Sequence, residues 1–146
     1  MYKSVLFNEK TFYSAFLNDL ESSQSEVIIE SPFITNERMK TIWPVFERLV
    51  DRGVMVYIMT RDPQEHSPIY AVQSETVIRK FEQLGIQSLI CRGRHHRKLA
   101  IIDRNILWEG SLNILSQTKS KEFMRRLEGG GFAVDLFHFI GYSRFL

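Results

Sequence analysis

The chain of 146 residues has one cysteine, Cys91, which excludes an intrachain disulfide and fits a reducing compartment. It has no long apolar run. The VMVYIM stretch at 54–59 falls far short of the roughly 20 residues needed to cross a bilayer. The first ten residues, MYKSVLFNEK, lack the apolar region of a secretory signal, so the expected location is the cytoplasm and no membrane partner is expected. Four prolines, eight glycines and no low-complexity tract leave nothing to divide the chain, so a single domain over 1–146 is expected. Neither charge sign dominates. A formal net charge of +2 does not by itself call for a polyanionic partner.

Composition is that of a folded globular protein, 44% hydrophobic and 25% charged. Basic residues are clustered: Arg92, Arg94, Arg97 and Lys98 lie close together, and Lys119, Lys121, Arg125 and Arg126 form a second group. Such clusters are usually solvated faces, and they also mark places where a phosphate backbone can settle.

Residues 9–21 place Phe12, Phe16 and Leu20 at helical spacing. Val27 to Glu30 read as a buried strand stopped at Pro32. The segment 36–53 reads as a helix with Asn36 as its N-cap, Gly53 after its last turn and Pro44 bending or interrupting it. A strand at 54–60, a loop at 61–68, a helix at 69–84 ending at Gly85 and a strand at 86–91 follow. Alternating strands and helices indicate an α/β sandwich with partly parallel strands. From Arg97 onward the pattern changes to two strands joined by an Asp-Arg-Asn turn, then a further strand over 122–127. After Gly129–Gly131, Phe132, Leu136, Phe139 and Ile140 share a helical face, which is expected to pack into the core.

The chemistry concentrates in HHRKLAIIDRNILWEGSLN, residues 95–113. In a strand, residues two apart share a face, so His96 and Lys98 project together while Ala100 and Ile102 continue that face inward. Gly110 permits a sharp turn that brings Ser111 and Asn113 beside them. An imidazole, an ammonium, a hydroxyl and an amide then converge, a set suited to a tetrahedral anion.

These residues, His96-x-Lys98, four residues, Asp103, six residues, then Gly110-Ser111-x-Asn113, resemble the complete HxKx4Dx6GSxN motif of the phospholipase D superfamily. Glu122 stands where that superfamily often carries a downstream acid. The similarity extends over SPFIT at 31–35 and the βαβα order before the motif. GSLNILSQ and KEFMRR further resemble helicase-associated domains and small nucleases of the superfamily. Arg97 departs from the small or polar residue more usual there, and Glu122 lies slightly closer to the serine than in some family nucleases. His95 is a rival nucleophile, but Arg97 rather than a lysine lies two residues on and its side chain points away.

The resemblance implies a phospholipase D-like αβα sandwich with a mixed sheet, and phosphoryl transfer through a phosphohistidine without metal or cofactor. In that chemistry one imidazole attacks phosphorus while a second protonates the leaving oxygen and then activates water. One motif supplies one imidazole, so the resemblance implies a homodimer with His96 of both copies at a shared site. It makes His96 nucleophile and general acid/base, gives the phosphate oxygens to Lys98 and Asn113, and gives orientation of the imidazoles to Ser111 and Glu122. Asp103 and Gly110 are expected to be structural. Arg94, Arg97, Lys119 and Lys121 are the candidate nucleic-acid contacts; Tyr70 and Trp108 offer rings for base stacking, though a packed core or surface role is the favoured reading for each. Cys91, His95 and His96 match no common zinc spacing. A nuclease acting on DNA or RNA is the favoured expectation, with a helicase or other nucleic-acid-processing protein as a further partner. The alternatives are a catalytically weak binding module and a phospholipid phosphodiesterase.

Overall fold

The computed structural model describes residues 1–116 and 119–146. Among them, seven strands form one mixed sheet: β1 (Tyr2–Asn8), β2 (Glu26–Glu30), β3 (Met55–Arg61), β4 (Gln87–Cys91), β5 (Leu99–Ile102), β6 (Ile106–Gly110) and β7 (Phe123–Gly129). Their order across the sheet is β1-β7-β6-β5-β2-β3-β4. The helices are α1 (Phe12–Ser22), α2 (Asn36–Asp51), α3 (Pro68–Leu84) and α4 (Phe132–Ile140). β2, β3 and β4 run parallel, with α2 and α3 as the crossovers, while β5, β6, β7 and β1 follow as antiparallel neighbours.

Burial sorts the helices onto the two faces of the sheet. Phe12, Phe16 and Leu20 of α1, Met39, Ile42 and Phe46 of α2, and Val77 and Phe81 of α3 pack against Val27, Ile29, Ile58 and Ala100. Ile28, Met59, Leu99 and Ile101 point the other way, toward Phe137 of α4 and Tyr142. This is the period-2 alternation of a sheet buried on both sides. The αβα sandwich with a mixed sheet is thus the observed architecture.

Three local expectations need correction. Thr35, not Asn36, caps α2; its hydroxyl accepts from the Arg38 amide at 3.4 Å, and Asn36 is the first helical residue. Pro44 does not interrupt α2, which continues to Asp51. The carbonyl its missing N–H would have served is that of the exposed Lys40, which water can reach, and Ile42, Val45 and Phe46 hold the helix to the sheet around it. On α4 the inward residues are Ala133 and Phe137, with Leu136 and Ile140 half-buried, whereas Phe139 is 85% exposed. The segment FAVDLFHFI is apolar on nearly every side, so its periodicity does not choose a face.

The register brings several chain segments to one end of the sheet. Glu30 pairs with Leu99, Leu99 with Glu109, Gly110 with Met124, and Asn8 with Phe123. The end of β2, the approach to β5, the exit from β6 and the approach to β7 therefore meet there. Asp103 lies at the far end of β5, in a hairpin turn whose two central residues, Asp103 and Arg104, both have positive φ (53° and 52°). Such a turn matches the twist of the strands it joins.

Candidate active site

Residues 95–98 lie outside the strand ladder, just before β5 begins at Leu99. Side chains hold this stretch. Upstream, the Glu65 carboxylate accepts from the amides of Gly93 at 2.9 Å and Arg94 at 3.1 Å. Along the stretch, His95 Nε2 lies 2.8 Å from Glu30 Oε1, and Arg97 Nε donates to the same oxygen at 2.9 Å. His96 and Lys98 open into a cavity of about 810 Å³, and Lys98 Nζ donates to the carbonyl of His96 at 2.9 Å.

Gly110, Ser111 and Asn113 border the same cavity. The reason for Gly110 is close approach of β7 rather than a special turn conformation. A Cβ there would lie 2.2 Å from the carbonyl oxygen of Phe123 and 2.9 Å from the Met124 Cα. The Ser111 hydroxyl is engaged by β7, accepting from the Phe123 amide at 3.1 Å. Asn113 presents unmet hydrogen-bonding capacity: its Oδ1 is buried without a partner among the described residues. A side-chain amide carries both an acceptor and an N–H pair, so it can serve a ligand of either kind.

Glu122 is not part of the cavity wall, yet its charge reaches Lys98. Burial pushes the Lys98 ammonium below its ordinary pKa, and the negative Glu122 pulls the other way. The Glu122 carboxylate accepts from Ser120 Oγ at 2.6 Å, and its amide donates to Glu9 at 2.9 Å. The hydrogen bonds of Ser111 and Glu122 thus run to β7, to Ser120 and to Glu9, and among the described residues neither joins an imidazole. Asp103 is remote, accepting from the amides of Gln24, Ser25 and Glu26 at 2.8–3.0 Å where the chain enters β2. Burial raises its pKa, but those donors outweigh it and hold the carboxyl below its usual range.

The basic candidates separate. Arg94, Lys119 and Lys121 are exposed at the same sheet end. Arg97 borders the cavity but its guanidinium is already bound to Glu30. Arg126 is bound by Asp19 and Glu128, whereas Arg125 faces the cavity. Trp108 is fully buried against Phe7, Phe12 and Phe16, so it is not a stacking ring for a ligand; Tyr70 remains 40% exposed. Among the described residues no group of three or more His, Cys, Asp or Glu side chains is placed to hold a metal ion. No described helix is long and apolar enough to cross a membrane.

Two features escape a reading of the sequence. One is Glu30, fully buried and bound to both neighbours of His96. The other is an apolar wall to the cavity, formed by Phe123, Leu136, Phe139 and Ile140. The alternation of β2 hinted at neither partner of Glu30, which lie about 65 residues away.

The profile of the family described as cardiolipin synthase, PLD-like domain, matches residues 16–125. No curated protein matches the sequence significantly. Among solved structures, the phospholipase D family member Nuc from Salmonella typhimurium superposes with a TM-score of 0.76 at 16% identity, covering 95% of this chain and 91% of that one. NucT from Helicobacter pylori gives 0.72 at 17% identity, covering 99% and 95%. Phosphatidylserine synthase from Haemophilus influenzae Rd KW20 gives 0.71 at 11% identity, with 99% of this chain covering 38% of that one. At these identities the structures share the fold, and the family profile spans most of the chain from α1 through the start of β7. The chain belongs to the PLD-like domain family.

Proposed function

We propose that this chain is a phosphodiesterase that cleaves a nucleic-acid backbone through a phosphohistidine, at a site shared between two copies. The supporting observation is the convergence of His96, Lys98, Ser111 and Asn113 on one cavity. The full-length likeness to Nuc and NucT favours a nucleic-acid substrate.

In this reading an imidazole nitrogen of His96 attacks phosphorus, forming a P–N bond as the P–O bond to the leaving alcohol breaks. His96 of the partner subunit gives its proton to that oxygen, then takes a proton from the water that cleaves the P–N bond. The first imidazole must be neutral and the second protonated, so the two titrate as a coupled pair. Lys98 and the Asn113 amide neutralise and orient the non-bridging oxygens. Ser111 acts through β7, fixing the loop that carries Asn113. Lysines from both copies supply the positive charge, so the step as written uses no metal.

Exposed Phe123 and Phe139 beside an incomplete site suit contact with a second copy. The apolar wall also favours one rival, a phospholipid phosphodiesterase whose acyl portion lies along α4. The test is incubation with labelled single- and double-stranded DNA and RNA, and separately with phosphatidyl vesicles, in excess EDTA. Nucleic-acid cleavage abolished by His96→Ala is expected. Turnover of vesicles alone would transfer the site to lipid, and binding without His96-dependent cleavage would make the chain an accessory module.

A further inference from the structure

The carboxylate of Glu30 sits at the end of β2, fully buried, directly beneath the segment that carries His96. Three side chains converge on it. Oε1 lies 2.8 Å from His95 Nε2 and receives Arg97 Nε at 2.9 Å; Oε2 receives Arg97 Nη2 at 3.4 Å and the buried hydroxyl of Tyr142. Two of these side chains flank His96 in sequence. The third belongs to the short turn after α4, the helix whose Leu136 and Ile140 line the cavity.

A buried ion cluster is an inefficient source of stability, because desolvation of the charges offsets much of their attraction. It is an effective source of geometry. A carboxylate with fixed partners on either side of one residue fixes the backbone that presents that residue. The stretch 95–98 needs such a device, because it lies outside the ladder that orients Leu99 onward. We infer that Glu30 is a positioning residue, gripping His95 and Arg97 so that His96 and Lys98 face the cavity, with Tyr142 locking the carboxylate to the end of α4.

The environment agrees with a permanently charged grip. Burial raises the Glu30 pKa, but hydrogen bonds from His95, Tyr142 and Arg97 outweigh it and hold the carboxyl below its usual range. Burial, together with the Glu30 charge and hydrogen bond, pushes the Tyr142 phenol far above its usual range, so it stays a donor.

Only the kinetic half of the test rests on the function proposed above. Glu30→Gln keeps the shape and removes the charge. In nitrogen-edited spectra of the four histidines, assigned by single substitutions, the His96 ring signals are expected to shift or broaden in Glu30→Gln. With a nucleic-acid substrate, kcat is expected to fall tenfold or more with KM within twofold, measured on folded protein. A merely stabilising carboxylate would lower the melting temperature and leave both readouts unchanged, which overturns the inference. If wild-type protein shows no turnover, the proposed function fails and the His96 spectra alone decide. If Glu30→Gln does not fold, Arg97→Gln releases one arm of the grip from the more exposed side, and unchanged His96 signals there overturn it.

Discussion

Replacing Gly110 by alanine adds one methyl group at the tightest point of the candidate site. The backbone conformation itself accepts a side chain, since Gly110 is not among the residues with positive φ. Removing a glycine from the unfolded chain even favours folding, by about 0.4–1 kcal/mol. The clash runs the other way and is larger. The new Cβ would stand 2.2 Å from the Phe123 carbonyl oxygen and 2.9 Å from the Met124 Cα, where ordinary contact begins at 3.4 Å. Backbone atoms cannot rotate aside, so β6 and β7 must separate by roughly an ångström, an overpacking penalty of about 1–3 kcal/mol. The same movement strains the Ser111 amide bond to the Phe123 carbonyl (3.0 Å) and the Phe123 amide bond to Ser111 Oγ (3.1 Å), each contributing about 1 kcal/mol. The net loss is about 2–4 kcal/mol. For a domain of this size that lowers the melting temperature by about 5–15 °C. Thermal unfolding followed by circular dichroism measures it. Activity assayed below the new melting point is expected to be lost as well, because Ser111 and Asn113 move with the strand end. A melting temperature within about 2 °C of wild type would refute the close-approach argument.

Asp103→Asn is expected to lower stability by roughly 1–3 kcal/mol at neutral pH, through weakened acceptance from the amides that start β2. Its folded pKa lies below the unfolded value of 3.8, so the stabilisation is present above about pH 4 and is lost as pH falls through the folded value. Acid unfolding of the asparagine variant should lack that limb, and its kcat on folded protein should match wild type because the group is far from the cavity. Lys119→Ala and Lys121→Ala are each expected to reduce the slope of log Kobs against log salt for nucleic-acid binding by about one, leaving kcat intact. Salt slopes identical to wild type would remove both lysines from the interface.

The sequence carried the sheet core, the hairpin and the motif residues because these rest on local signals: period-2 apolar runs, a turn dipeptide, and fixed spacings. β1 escaped because it is an edge strand. Tyr2, Val5 and Leu6 are exposed, only Phe7 tucks inward against Trp108, and its partner β7 lies some 120 residues away. The α4 face escaped because an all-round apolar helix does not say which side meets the sheet. Glu30 escaped for a different reason. The sequence places Glu30 in a buried strand, but its partners lie far along the chain, and only the fold reveals His95, Arg97 and Tyr142 around it.

Shared use of two imidazoles is tested most directly by mixing subunits. Wild-type chain is unfolded with increasing proportions of His96→Ala chain, refolded to randomise pairs, and assayed for cleavage at constant total protein. If one phosphodiester needs His96 from both copies, activity falls as the square of the wild-type fraction. A decline linear in that fraction would show each copy working alone, and the two-subunit mechanism would be wrong.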